Sequence, residues 1–335
     1  MNYKILGKTG LSVSEVGIGG IPIQRADVDA AKNLLSAAAQ IGVNFLDSAR
    51  AYSVSEAYLG EALEGIRDRF VIATKSGAKT REEMARDVEI SLKNFRTDHI
   101  ELYQLHNPNA AGLAQIMAPG GALEALLEAK KAGKIGHIGI TLHSRELFRQ
   151  VLEYDWVETV MFPYNIVETQ AQEEIALCSE KGIGFICMKP MAGGALDDGQ
   201  IAMRFLAQNK DISVVIPGMA AVEELRQNVT AYADKTALTP EEAEKIEAIR
   251  RELGSNFCRR CNYCAPCSAG ISIYSVFLFD GYLTRYNLVD WATARYNAME
   301  KHASDCIGCG VCEPRCPYGL PIREMMQRAV KLFGK

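Results

Sequence analysis

Eight cysteines crowd the last quarter of the chain in two runs, Cys258-x2-Cys261-x2-Cys264-x2-Cys267 and Cys306-x2-Cys309-x2-Cys312-x3-Cys316-Pro317. In the spacing of the second run, three close thiolates hold one [4Fe–4S] cube and the fourth reaches a different one. Zinc is the alternative reading, because paired Cys-x2-Cys knuckles also bind zinc. Zinc ribbons rarely string three or four such steps together, so the spacing favours iron–sulfur. Of the ten cysteines in the chain, only Cys178 and Cys187 lie outside these runs. Both sit in apolar segments and read as small buried hydrophobes. In a reducing compartment the clustered eight read as metal ligands and not as disulfides.

The two runs also resemble copies of one another. Cys264-Ala265-Pro266-Cys267 is followed by Gly270-Ile271-Ser272-Ile273, and Cys312-Glu313-Pro314-Arg315-Cys316 by Gly319-Leu320-Pro321-Ile322. A duplicated half predicts crossed ligation. One cluster takes Cys258, Cys261, Cys264 and Cys316; the other takes Cys306, Cys309, Cys312 and Cys267. The aromatic stretch from Tyr274 to Tyr296 between the runs reads as a pair of core helices spacing the two halves.

A second set of chemical residues lies upstream: Asp47, Tyr52, Lys75 and His106. Three of them end short apolar segments, Val43–Asp47, Phe70–Lys75 and Ile100–His106. Further apolar runs occur at Val16–Gly20, Ile135–Thr141, Thr159–Phe162, Gly184–Met188 and Ser213–Ile216, with helical periodicity between them. Apolar strands alternating with helices read as a parallel sheet covered on both faces. Eight such units fit the ~250 residues of a (β/α)8 TIM barrel. A doubly wound sheet is the competitor, but Gly17-Ile18-Gly19-Gly20-Ile21-Pro22 lacks its third glycine, and Pro22 stands where the helix should start. Tyr3–Leu6 and Ser12–Val13 flank Gly7-Lys8-Thr9-Gly10 as a hairpin that could plug the barrel floor. The expected fold is thus α/β, a barrel domain over 1–254 and a small, mainly helical iron–sulfur domain over 255–335. The boundary is placed near Ser255, where the composition changes.

Barrel active sites lie at the C-terminal strand ends, so Asp47, Lys75, His106 and the loop residue Tyr52 should converge. Lys75 beside a phenol favours the phenolate. Asp47 would hold Lys75 charged and in place. Tyr52 could then exchange a proton with a carbonyl oxygen, with His106 donating a hydrogen bond to the same atom. This proton chemistry suits hydride transfer.

Asn44-Phe45-Leu46-Asp47-Ser48-Ala49-Arg50-Ala51-Tyr52-Ser53-Val54-Ser55-Glu56 resembles the aldo/keto reductase signature. Thr74-Lys75-Ser76 and Leu102-Tyr103-Gln104-Leu105-His106 resemble that family's lysine and histidine segments. The likeness covers roughly residues 3 to 235. With the cysteine tail, the chain resembles the subgroup carrying a C-terminal ferredoxin-like domain. The resemblance implies an NAD(P)-linked oxidoreductase acting on a small-molecule carbonyl substrate, with Tyr52, Asp47, Lys75 and His106 catalytic. It implies nucleotide contacts from Tyr164 and Asn165, Met188 and Lys189, Pro217, Gly218 and Met219, and Gln227 and Asn228. The chain departs from the family pattern in several places. Met188 replaces the nicotinamide-stacking aromatic, Thr141-Leu142 a Ser-Asn pair, and Met161 a glutamine. Gly218, Met219 and Glu224 stand where Lys, Ser and Arg commonly bind the 2′-phosphate of NADP, leaving NAD and NADP both open. The phosphate of a flavin could use the same region. His143, after the fifth strand, could touch substrate or be a surface residue.

Composition narrows the partners. The 335 residues carry a net charge of −4, so no basic field invites nucleic acid or anionic lipid. No apolar run is long enough to span a membrane, and the N-terminus does not read as a signal peptide. The expected location is cytoplasmic. Hydride transfer moves two electrons, whereas each cluster moves one. A link between them needs a one-electron partner such as a flavin, a radical substrate intermediate, or an external ferredoxin or other electron carrier. An electron-transfer or redox-sensing protein with a vestigial barrel is the second reading, and a reductase with purely structural clusters the third.

Overall fold

The structure, a computed structural model, describes residues 1–254 and 257–335. The boundary expected near Ser255 lies outside the described residues. The chain forms two compact units: Met1–Asn165, Thr169–Pro190 and Asp198–Ala237 make one, and Ile166–Glu168, Met191–Asp197 and Leu238–Lys335 the other.

The first unit opens with an antiparallel hairpin, β1 (Tyr3–Ile5) and β2 (Ser12–Ser14). Gly7 in its turn has φ +55°, and a Cβ there would stand 2.2 Å from the Gly184 nitrogen. Only glycine lets the Lys8 N–H donate to the Gly182 carbonyl at 2.5 Å. The hairpin drives Leu6 and Val13 into a core of inward strand residues, Phe45, Ala73, Leu102, Met161, Ile186 and Val214. It therefore plugs one end of the barrel, as its sequence suggested.

The barrel follows in regular alternation: β3 (Ile18–Gly19), α1 (Val28–Ile41), β4 (Phe45–Asp47), α2 (Ser55–Ala62), β5 (Val71–Ser76), α3 (Arg81–Phe95), β6 (Ile100–His106), α4 (Ala110–Met117), α5 (Ala122–Lys131) and β7 (Ile135–Thr141). It continues through α6 (Arg145–Val151), β8 (Thr159–Pro163), α7 (Gln172–Glu180), β9 (Gly184–Met188), α8 (Gly199–Ala207), β10 (Val214–Ile216) and α9 (Val222–Ala233). Strands β3 to β10 form one parallel sheet in chain order. Bridges Val16–Val215 and Gly19–Gly218 bring its first and last strands together. All eight expected strands are present. Caps set the helix ends: Asp27 accepts from the Ala30 N–H at 2.7 Å, and Thr80 with Glu83 closes a capping box on α3. Helix α4 was not expected. Asn109 caps it through the Gly112 N–H, and its eight residues are too few to display a helical period in sequence. Cys178 and Cys187 are fully buried.

The second unit is helical: α10 (Pro240–Gly254), α11 (Ile273–Thr284), α12 (Val289–Asn297) and α13 (Ile322–Phe333). The aromatic stretch forms α11 and α12, and Tyr296 stacks on Phe333 of α13 at 3.9 Å. The duplication read from sequence has a backbone counterpart. Gly270 and Gly319, at φ +74° and +61°, follow the fourth cysteine of each run. Their N–H groups donate back to the carbonyls of Cys267 and Cys316. Ile273 and Ile322 then start α11 and α13, both buried in one core with Val276, Phe277 and Met326. No helix among the described residues is long and apolar enough to cross a membrane.

Candidate active site and cysteine cavities

Strands β4, β5 and β6 end side by side, and Asp47, Lys75 and His106 at their C-terminal ends meet at the barrel mouth. The Lys75 ammonium donates to Asp47 Oδ2 at 2.5 Å and to the Ser48 carbonyl at 2.7 Å. Both charged groups are buried. Burial raises the Asp47 carboxyl and lowers the Lys75 ammonium from their ordinary values, and each partner opposes the shift of the other. Lys75 Nζ lies 5.0 Å from the Tyr52 ring centroid. The His106 ring stands edge-on to Tyr52 at 6.0 Å. The four residues singled out from sequence are therefore brought together.

Burial, with the positive charges of Lys75 and Lys189 nearby, lowers His106 to about 3. The imidazole is neutral at physiological pH, so it can donate one hydrogen bond without carrying charge. Between pH 6.5 and 3 the unfolded chain binds a proton there that the folded chain refuses. The stability contributed by neutral His106 is therefore complete above pH 6.5 and lost as pH falls, at no more than about 1.4 kcal/mol per pH unit. Denaturant unfolding of the native protein and His106→Asn between pH 5 and 7 should show a shallower pH dependence in the variant; identical slopes would contradict the shift.

Two further residues hold this site, neither of them among the four expected to converge there. Gln104 Nε2 donates to Asp47 Oδ1 at 3.1 Å. It stands two residues before His106 on β6, and the strand's period of two could have identified it. Glu56 is buried and accepts from Thr74 at 2.7 Å, Ser91 at 2.8 Å, Asn94 at 3.0 Å and Arg50 at 2.8 Å. Arg50 and Glu56 bracket Tyr52 in sequence, so this hub fixes the loop that presents the phenol. Glu56→Gln removes the charge from four hydrogen bonds and should cost about 2 kcal/mol, read as a lower denaturation midpoint. A change below a few tenths would mean that the loop is held elsewhere.

The expected nucleotide contacts are less uniform. Asn165 is fully buried and donates to the Lys189 carbonyl at 2.9 Å. Lys189 has φ +57°, and its ammonium lies 2.8 Å from His143 Nε2. His143 is thus half-buried, with one ring nitrogen against the Lys189 ammonium. Tyr164 is buried, donates to Gln172 at 2.8 Å and stacks on Phe205. Met188 ends β9 partly exposed, and Pro217 is buried. Gly218 is exposed, Met219 is fully buried, Gln227 is exposed and donates to Glu223, and Asn228 is buried. Glu224 Oε2 accepts from the N–H groups of Ala220 and Ala221 at 2.8 and 3.1 Å. A carboxylate thus already holds the two backbone N–H groups just before α9, and puts its negative charge at the helix N-terminus, where an anion would otherwise be welcome.

In the second unit the eight thiols line two cavities, four to each. One is lined by Cys258, Cys261, Cys264 and Cys316. The other is lined by Cys267, Cys306, Cys309 and Cys312. This is the crossed grouping expected from the duplicated runs, and the donor set fits an iron–sulfur cube in each cavity.

A closed parallel barrel with ionisable groups gathered at its C-terminal strand ends is the architecture of a barrel enzyme. A phenol, ammonium, carboxylate and imidazole grouped there suit proton exchange at a carbonyl. The chain belongs to the aldo/keto reductase family, whose model matches residues 15–200, and is an oxidoreductase of that type. Residues 257–321 match a 4Fe-4S dicluster domain. Among curated relatives, L-galactose dehydrogenase of Arabidopsis thaliana is 26% identical over 74% of this chain and 94% of its own length. The 6-dehydroglucose reductase of Novosphingobium aromaticivorans is 25% identical over 69% of this chain and 81% of its own. The holo form of an aldo-keto reductase from Bacillus halodurans superposes with a TM-score of 0.65 over 74% of this chain and 96% of that one. At 24% identity it speaks for the fold alone.

Proposed function

We propose that this protein reduces or oxidises a small carbonyl or alcohol at the barrel mouth with a nicotinamide nucleotide, and carries two [4Fe–4S] clusters for one-electron transfer. The observation that carries the reading is the placement of Lys75 beside both Asp47 and Tyr52, with His106 against the same phenol. The nucleotide would supply or accept the hydride. In the reducing direction Tyr52 gives its hydroxyl proton to the substrate oxygen, the Lys75 ammonium stabilises the resulting phenolate, and neutral His106 donates a hydrogen bond to that oxygen. Asp47 keeps Lys75 oriented, and Gln104 keeps Asp47 oriented.

NAD suits this chain better than NADP. The carboxylate of Glu224 on the first turn of α9 and the buried Met219 offer a 2′-phosphate repulsion and no cation. One cluster would be held by Cys258, Cys261, Cys264 and Cys316, the other by Cys267, Cys306, Cys309 and Cys312. A bound flavin or an external ferredoxin-like carrier would join the two-electron and one-electron chemistry. Met161, Met188 and Leu142, in place of expected nicotinamide contacts, favour the alternative of an electron-transfer protein with a vestigial barrel. Anaerobic assays with NADH and NADPH against a panel of small aldehydes and ketones, with analysis of any co-purified nucleotide or flavin, separate the two. Turnover faster with NADH supports the first reading. Absence of both turnover and nucleotide binding in iron-replete protein would leave the second.

A further inference from the structure

The cavity lined by Cys258, Cys261, Cys264 and Cys316 has a charge pattern that its twin lacks. Arg259 also lines it and is only 8% exposed. Its guanidinium lies 3.9 Å over the Tyr318 ring and donates to two backbone carbonyls, Gly254 and Val167, at 3.2 and 3.5 Å. No carboxylate pairs with it among the described residues. Arg260 beside it is also buried, but Glu168 holds it at 3.0 and 3.2 Å, and that glutamate is itself fully buried. Two buried guanidiniums thus face one carboxylate, leaving a net positive charge against the four thiols. A buried cation with no counter-ion is costly unless an anionic group completes the site. At the other cavity the lining cation, Arg323, is half exposed and already paired with Glu313 at 2.8 Å. Arg315 nearby is exposed and screened by solvent.

We infer that Arg259 is the counter-charge of the first cluster and raises its reduction potential, and that Glu168 opposes it and lowers that potential. Reduction adds one electron to an already anionic cluster, a buried cation favours the more negative state, and a buried anion disfavours it. Glu168 stands three residues after Asn165, on the segment leaving β8. A segment about 90 residues upstream of the first cysteine run, within the same compact unit, would thereby help set the potential of one cluster and leave the other alone.

This inference rests on the two-cluster reading, and its test keeps the two apart. Full-length, anaerobically reconstituted protein is titrated potentiometrically while the reduced clusters are followed by EPR. Iron and sulfide are measured on the same samples. Lack of cluster iron in the native protein would remove the two-cluster reading itself. With iron intact, Arg259→Gln should lower one midpoint by about tenfold in the reduction equilibrium, about 59 mV for a one-electron couple. The other midpoint should stay in place, and Arg259→Lys should restore most of the shift. Glu168→Gln should move the same midpoint upward. A packing defect would not give shifts of opposite sign. If Arg259→Gln fails to hold iron, Glu168→Gln and Arg259→Lys decide the matter. Both native midpoints unchanged in Glu168→Gln, or all variants shifting in one direction, would overturn the assignment.

Discussion

Tyr52→Phe lowers the rate of carbonyl reduction by about 10²- to 10⁴-fold, the usual worth of a positioned general acid, and leaves nucleotide affinity and iron content unchanged. The substitution deletes one hydroxyl. It keeps the ring that packs between the Lys75 ammonium at 5.0 Å and the edge of His106 at 6.0 Å, so the loop held by Arg50 and Glu56 should not move. The loss should fall on kcat and kcat/KM together, because the proton passes in the transition state and not on binding. His106 cannot replace it, since burial and two neighbouring ammonium groups keep its imidazole neutral. Unchanged turnover would remove Tyr52 as the acid. Loss of nucleotide binding would instead show that the phenol only shapes the pocket.

Lys75→Met should be more damaging to the fold. It leaves the Asp47 carboxylate buried, with Gln104 as its remaining side-chain partner. Removing one member of a buried ion pair typically costs about 3–5 kcal/mol. The pH dependence identifies the cause. Burial already raises the Asp47 carboxyl, and without Lys75 the opposing pull is gone. The folded state then holds the proton more tightly than the unfolded state. Stability of the variant should fall as pH rises and recover as the carboxyl protonates. The double variant Asp47→Leu/Lys75→Met should regain much of the stability in denaturant unfolding while remaining inactive. A double variant no more stable than Lys75→Met would mean that the loss comes from packing and not from a stranded charge.

The barrel was legible because its strands are short apolar runs with a polar residue at the end of three of them, and buried parallel strands leave that trace. The cysteine grouping was legible from the near-repeat around Pro266 and Pro314, and the matched glycines at 270 and 319 carry the duplication into the backbone. Other features left no local trace. Helix α4 is only eight residues long, little more than two turns, so its apolar positions Leu113 and Ile116 recur too few times to read as a helical period. Glu56 gathers donors from α3, β5 and the loop before α2, and nothing at position 56 announces partners 18 to 38 residues away. Glu224 read as a departure from a phosphate site, but its role as a cap on α9 needs the turn geometry at Ala220 and Ala221. Glu168 belongs to no motif, and its partner Arg260 lies 92 residues downstream. The segments Ile166–Glu168 and Met191–Asp197 group with the C-terminal unit through such distant contacts, which periodicity and spacing do not encode.

Iron and acid-labile sulfide per chain, measured on anaerobically purified native protein and on Cys309→Ala, test the central claim most directly. Two crossed [4Fe–4S] sites predict about eight irons and eight sulfides in the native chain and about four of each in the variant, since Cys309 lines only one of the two cavities. Stoichiometric zinc without sulfide, or a variant that keeps all its iron, would contradict it.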